Sequence, residues 1–108
     1  MTFAAKARLL ANLSNQARLE LLTIIVERER SVGDLARELD LSQSALSQHL
    51  ARLRTDDLVQ TRRDAQTIYY RCANDGVRRV LLTLTEIFEP DAITTAKSDH
   101  NKNGRKAG

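Results

Sequence analysis

Four polar side chains in close succession, Gln43, Ser44, Ser47 and Gln48, have the types and spacing to read a polar surface on another molecule. At roughly 100° per residue they share one helical arc with Ala51 and Arg54, while Ala45, Leu46, His49, Leu50 and Leu53 share the other. The polar arc carries amides, hydroxyls and a guanidinium but no carboxylate, whereas an ordinary solvated face mixes Glu with Lys. Glutamine can pair with an adenine edge through two hydrogen bonds, serine serves bases or phosphates, and small side chains let a helix sit deep in a groove. Leu41 to Arg54 therefore reads as a DNA recognition helix. The competing reading is a polar helix face with no partner, and the flanking elements decide between the two.

Those elements form a consistent frame. Thr2 to Leu13 places Phe3, Ala7, Leu10 and Ala11 at helical spacing, with Lys6 and Arg8 opposite. Asn15 is an expected N-cap for a second helix, whose broad apolar face is Ala17, Leu21, Leu22, Ile24, Ile25 and Val26. Glu27 to Arg30 reads as a solvated charge run. Ser31 and Asp34 have capping-box spacing for a third helix with Val32, Leu35, Ala36 and Leu39 inward. Asp40 and Leu41 leave a tight turn, aspartate tolerating the left-handed conformation better than most non-glycine residues, and Ser42 can cap the next helix. Two short helices joined in this way are a helix-turn-helix.

The period then changes to alternation. Val59 to Arg63 and Gln66 to Cys72 are expected strands with Asp64-Ala65 as the turn, and Ile68, Tyr70 and Cys72 share the inward face. Arg62, Arg63 and Gln66 near the turn could reach a phosphate backbone or a minor groove. After Asp75, an expected cap, Val77, Val80, Leu81, Leu84, Ile87 and Phe88 form a last helical stripe ended by Pro90. The first and last helices carry more apolar surface, Leu82 included, than one small core needs, which predicts a homodimer built through them. The fold class expected is mainly α with a β-hairpin wing, a winged helix-turn-helix. Residues 1–90 would be its DNA-binding and dimerisation domain, and 91–108 a disordered polar tail.

Composition bounds the function. Seventeen Lys and Arg against fourteen Asp and Glu give a net charge of +3, too small alone to argue for polyanion binding. A single cysteine, Cys72, excludes an internal disulfide, and no Cys/His cluster exists to hold a metal. Neither a membrane span nor a signal peptide is read in the chain, so a cytoplasmic protein is expected. No positioned nucleophile, carboxylate pair or phosphate-binding glycine loop supports catalysis, and no cofactor is expected.

In this order the elements resemble the ArsR/SmtB family of bacterial winged-helix repressors. The resemblance is carried by Asn15 to Leu22, Val32 to Leu39, Leu41 to Leu50 and Arg62 to Tyr70. Leu41 to Leu50 and Thr61 to Tyr70 look particularly like the rhizobial nodulation-gene repressors, a subgroup without a metal sensor. The resemblance implies a homodimer on a palindromic promoter site, with contact through the first and last helices. Metal-sensing members carry Cys-Val-Cys where this chain has Ser31-Val32-Gly33, and Val77 and Phe88 stand where a second site needs imidazoles. Metal sensing at either place is not expected.

Several residues keep two readings. His49 is expected to be a partly buried histidine bonded to backbone, because Ser47 lies about 200° away around the helix. Cys72 is the one candidate for a redox role, against that of a small buried hydrophobe. Arg52 and Arg54 touch phosphate or are ordinary surface arginines, and Tyr69 packs under the wing or bonds a phosphate. A trigger through Cys72 oxidation or a small ligand, and a protein-interaction module without DNA, are the alternative functions.

Overall fold

The computed structural model describes residues 2–91. Its elements run α1 (Phe3–Leu13), α2 (Gln16–Glu27), β1 (Arg30–Ser31), α3 (Val32–Leu39), α4 (Gln43–Thr55), β2 (Gln60–Asp64), β3 (Thr67–Arg71) and α5 (Asp75–Phe88). The chain divides into two units between Val77 and Arg78, a boundary inside α5. The expected disordered tail lies outside the described residues apart from Asp91, which with Pro90 is helical. No helix among the described residues is long and apolar enough to cross a membrane.

Local chemistry starts the helices. The side chains of Thr2, Asn15, Ser31 and Ser42 accept from the backbone N–H three residues on, at Ala5, Arg18, Asp34 and Ala45, satisfying donors that a helix leaves free. Ser31 and Asp34 form only half a capping box, since the Asp34 carboxylate turns to Arg37. The expected cap at Asp75 is corrected to Asn74, whose Oδ1 accepts from the Val77 N–H at 2.9 Å. Asp75 is instead the first helical residue, beside the positive end of α5.

Both helices of the helix-turn-helix stop in the same way. Asp40 adopts φ 55°, with its N–H bonded to the Arg37 carbonyl and that of Leu41 to Ala36. Asp57 adopts φ 60°, with the matching bonds to Arg54 and, from Leu58, to Leu53. These are Schellman motifs, in which a left-handed residue lets its own N–H and the next one close back on the last turn. Aspartate tolerates that conformation better than most side chains.

In the first unit the core is built from Leu13, Leu21, Leu22, Ile25, Leu35, Leu46, Leu50, Leu53, Leu58, Val59, Cys72 and Val77. α4 thus buries the arc opposite its polar face. The apolar stripe of α1 faces out: Phe3, Ala7, Leu10 and Ala11 are exposed, and the buried residues of α1 are Asn12 and Leu13. On α5, Leu82, Ile87 and Phe88 are exposed.

The wing differs from a simple hairpin. Arg30 and Ser31 pair with Tyr70 and Tyr69, so the sheet has three antiparallel strands in the order β1-β3-β2. The expected solvated run therefore ends in a strand, too short to show alternation in the sequence. Asp64 pairs with Thr67, which moves the turn by one residue to Ala65-Gln66. Ala65 supplies φ 58°, the positive value that primed hairpin turns require at their first loop position.

Candidate nucleic-acid interface

Gln43, Ser44, Ser47 and Gln48 are all exposed on α4, while Leu46, Leu50 and Leu53 on the other arc are buried. The packing of those leucines fixes which way the amides point. Gln43 is the first residue of the helix, directly after the Ser42 cap, so it stands at the end that a recognition helix presents to base edges. Arg54 is exposed on the same helix.

His49 is half-buried, and its partner corrects the backbone bond expected from the sequence. Its Nδ1 lies 3.4 Å from the Arg18 guanidinium, whose Nε donates to the Asn12 carbonyl at 2.6 Å and whose other arm donates to the Ala11 carbonyl at 3.1 Å. Arg18 is only 8% exposed. Burial first, and then the Arg18 charge, pushes the His49 imidazole below its ordinary pKa. Opposite a guanidinium, which only donates, Nδ1 is the acceptor, and the ring leaves the exposed arc to its neighbours.

The wing arginines are treated differently. Arg63, Gln66 and the turn between them are exposed. Arg62 is held: its Nε and one terminal nitrogen bridge the Glu29 carboxylate, the shortest contact being 2.5 Å, and its guanidinium lies 4.5 Å from the centre of the Tyr69 ring. The Arg62 hydrogen bond is the chief cause that keeps the Glu29 carboxyl below the usual carboxylate range. Tyr69 thus packs under an arginine of the wing. Arg52, on the flank of α4, donates from Nε to Asn12 Oδ1 at 3.1 Å. None of Glu29, Asn12 and Arg18 stands out in the sequence as part of this surface, because their partners lie far along the chain.

Cys72 is 4% exposed, its backbone N–H bonds the Ile25 carbonyl, and burial pushes its thiol up. Its surroundings suit a small hydrophobe rather than a reactive thiolate. At the positions that match the metal motif of metal-sensing ArsR/SmtB members, the Ser31 hydroxyl accepts from the Asp34 N–H and caps α3.

Comparison with known proteins bears on the same residues. Residues 15–61, from the α2 cap through the start of β2, match the family described as bacterial regulatory protein, arsR family. The nodulation protein NolR of Rhizobium meliloti is 49% identical over 79% of this chain and 70% of its own length. The transcriptional activator HlyU of Vibrio cholerae is 45% identical over 74% of each chain. The crystal structure of NolR from Sinorhizobium fredii superposes with a TM-score of 0.75 at 51% identity, covering 77% of this chain and 83% of that one. With a carboxylate-free helix face, a wing beside it and these likenesses, the chain belongs to the arsR family of bacterial regulatory proteins, as a winged-helix DNA-binding transcription regulator.

Proposed function

We propose that the protein is a homodimeric repressor that binds a palindromic operator in promoter DNA in the cytoplasm, with no metal or other cofactor. The observation that carries this reading is the exposure of Gln43, Ser44, Ser47 and Gln48 together on the arc of α4 opposite its buried leucines. Each α4 enters a major groove, and the two-fold sets the pair roughly 34 to 36 Å apart on one side of the duplex. Gln43 and Gln48 read bases, adenines by their chemistry, while Ser44 and Ser47 make mixed base and phosphate contacts. Arg63 and Gln66 anchor the wings, and Arg62, paired with Glu29, is the third wing residue that reaches the backbone once that pair gives way. Residues 1–90 act as the DNA-binding and dimerisation domain. A second copy as the cover for α1 and α5 is supported by Phe3 at 85% and Phe88 at 75% exposure, with Leu10 on α1 and Leu82 and Ile87 on α5 also exposed, since apolar surface of this kind marks an interaction site.

A dimer lying across a promoter excludes polymerase from the same DNA, and the resemblance to a repressor family points the same way. HlyU, named an activator, marks the alternative outcome. Selection from randomised duplexes across a salt series, followed by a promoter reporter carrying the selected site, tests the reading. An A·T-containing palindrome with half-sites about one turn apart, and reporter output that falls with protein, are expected. Absence of any enriched motif would leave a protein-interaction module as the better account. A thiol trigger at Cys72 is disfavoured by its burial; modification by peroxide that changes operator affinity would revive it.

Two wing variants separate backbone from base contacts. Arg63→Ala should weaken binding to every duplex and reduce the log–log salt slope by about 0.9, the share of one phosphate. Glu29→Gln removes the anion that occupies Arg62; affinity at low salt should rise several-fold and the slope steepen by about 0.9 as Arg62 takes up a phosphate. Both are read from anisotropy titrations, and a slope that Glu29→Gln leaves unchanged would place Arg62 off the DNA backbone.

A further inference from the structure

Asn12 is a buried polar side chain, 1% exposed, and its amide is fully engaged. Nδ2 donates to Asp56 Oδ2 at 2.5 Å and to the Arg8 carbonyl at 3.1 Å, while Oδ1 accepts from Arg52 Nε at 3.1 Å. Asp56 is held a second time by Arg8, whose Nε and terminal nitrogen lie 2.8 and 2.7 Å from Oδ1. Arg52 sits in the last turn of α4 and Asp56 is its C-cap, so one amide of α1 grips the end of the recognition helix opposite Gln43. The other end is fixed by the turn through Asp40 to α3.

Two anchored ends define the direction of a helix, and one does not. At 1.5 Å per residue α4 is about 19 Å long. With its C-terminal end loose, α4 pivots about its N-terminal turn, and a pivot of about 5° moves Gln48, five residues along the helix, by about 0.7 Å, more than the roughly 0.5 Å within which a binding constellation must be held. An apolar side chain at position 12 would fill the same space without choosing one approach of α4 to α1, because apolar contact is non-directional. Hydrogen bonds to an amide hold both distance and angle.

We propose that Asn12 is a positioning residue for operator recognition: acting through Arg52 and Asp56, it sets the angle of α4 against α1, and with it the half-site spacing that the dimer accepts. The inference rests on the dimeric operator reading given above, with α1 at the contact between copies. In such a dimer the angle of α4 to α1 is its angle to the two-fold.

The test uses the full-length protein on the selected operator and on the same operator with one base pair inserted between half-sites. The ratio of the two dissociation constants does not depend on the folded fraction, so a loss of stability alone cancels from it. The wild-type ratio should be about tenfold or more, in the range of a defect in a specific site, and Asn12→Leu should bring it to about twofold. The salt slope on random duplex should stay as in the wild type. A folded Asn12→Leu protein with the wild-type ratio overturns the inference. If that variant does not fold, Arg52→Met cuts the α4 side of the contact and takes the same measurement, where an undiminished ratio is equally fatal. The wild-type arm separates the two readings: no preference between the two spacings there sinks the dimeric operator reading, and this inference with it, whereas a clear wild-type ratio leaves only Asn12 in question.

Discussion

Leu50→Ala is expected to lower the unfolding free energy by about 2 to 5 kcal/mol. Leu50 is 1% exposed on the inner arc of α4, between Leu46 and Leu53, themselves buried. Truncation removes the transfer free energy of the lost carbons and leaves a cavity that the neighbouring leucines fill only in part. A domain of this size has a total stability of about 5 to 15 kcal/mol, so the loss is a large share of it. The melting temperature should fall by roughly 4 to 8 °C for each kcal/mol. Denaturant titration checks this directly, with both proteins at one concentration because a dimer's stability depends on it. Operator affinity per folded molecule should change much less than stability, since no side chain on the exposed arc is altered. A stability change under about 0.5 kcal/mol, the level of an ordinary surface substitution, would show that Leu50 does not fasten α4.

Gln43→Ala should have the complementary signature, with the fold intact and base preference relaxed at one position in each half-site. Gln43 is exposed at the first position of α4, where its backbone N–H has no partner within the helix and its side chain caps nothing. Removal of a bidentate base contact costs about 1 to 3 kcal/mol of discrimination, about five- to 150-fold in relative affinity. A panel of operators varied one base pair at a time measures it. The variant should bind its worst site nearly as well as the wild type does, and lose most on its best. Gln48→Ala should relax a different position, and the two effects should add where the contacted bases are separate. A uniform loss across the panel would assign Gln43 to the backbone, and an unchanged pattern would remove it from the interface. The wing substitution Arg63→Ala, uniform across sequences, is the control for the first of these.

The parts of this protein that the sequence by itself determined are those governed by contacts within three or four residues. Asn15, Ser31 and Ser42 cap the helices they precede because the acceptor and the free N–H are neighbours in the chain. Asp40 takes the left-handed turn for a reason local to its own side chain. The period of Leu46, Leu50 and Leu53 places the polar arc of α4 outward, which is why Gln43, Ser44, Ser47 and Gln48 were legible as an exposed set before any coordinates. Asp57, which ends α4 as Asp40 ends α3, carried the same local signal and was missed.

Tertiary structure alone decided the rest, since its causes join residues far apart. Periodicity marks the apolar stripe of α1 but cannot say that the core takes Leu13 and Asn12 while Phe3 and Leu10 face out. A two-residue strand such as β1 has no alternation to read; its pairing with Tyr69 and Tyr70 supplies the reason for it. The hairpin turn moved by one residue because the pairing of Asp64 with Thr67 outweighs both the turn preference of Asp64 and the cost of a positive φ at Ala65. Arg62 read as a free cation in sequence, and only the fold brings Glu29 and Tyr69 to it. Asn12 had no visible role until folding placed Arg52 and Asp56 around its amide, where a buried polar group must find partners or destabilise the core.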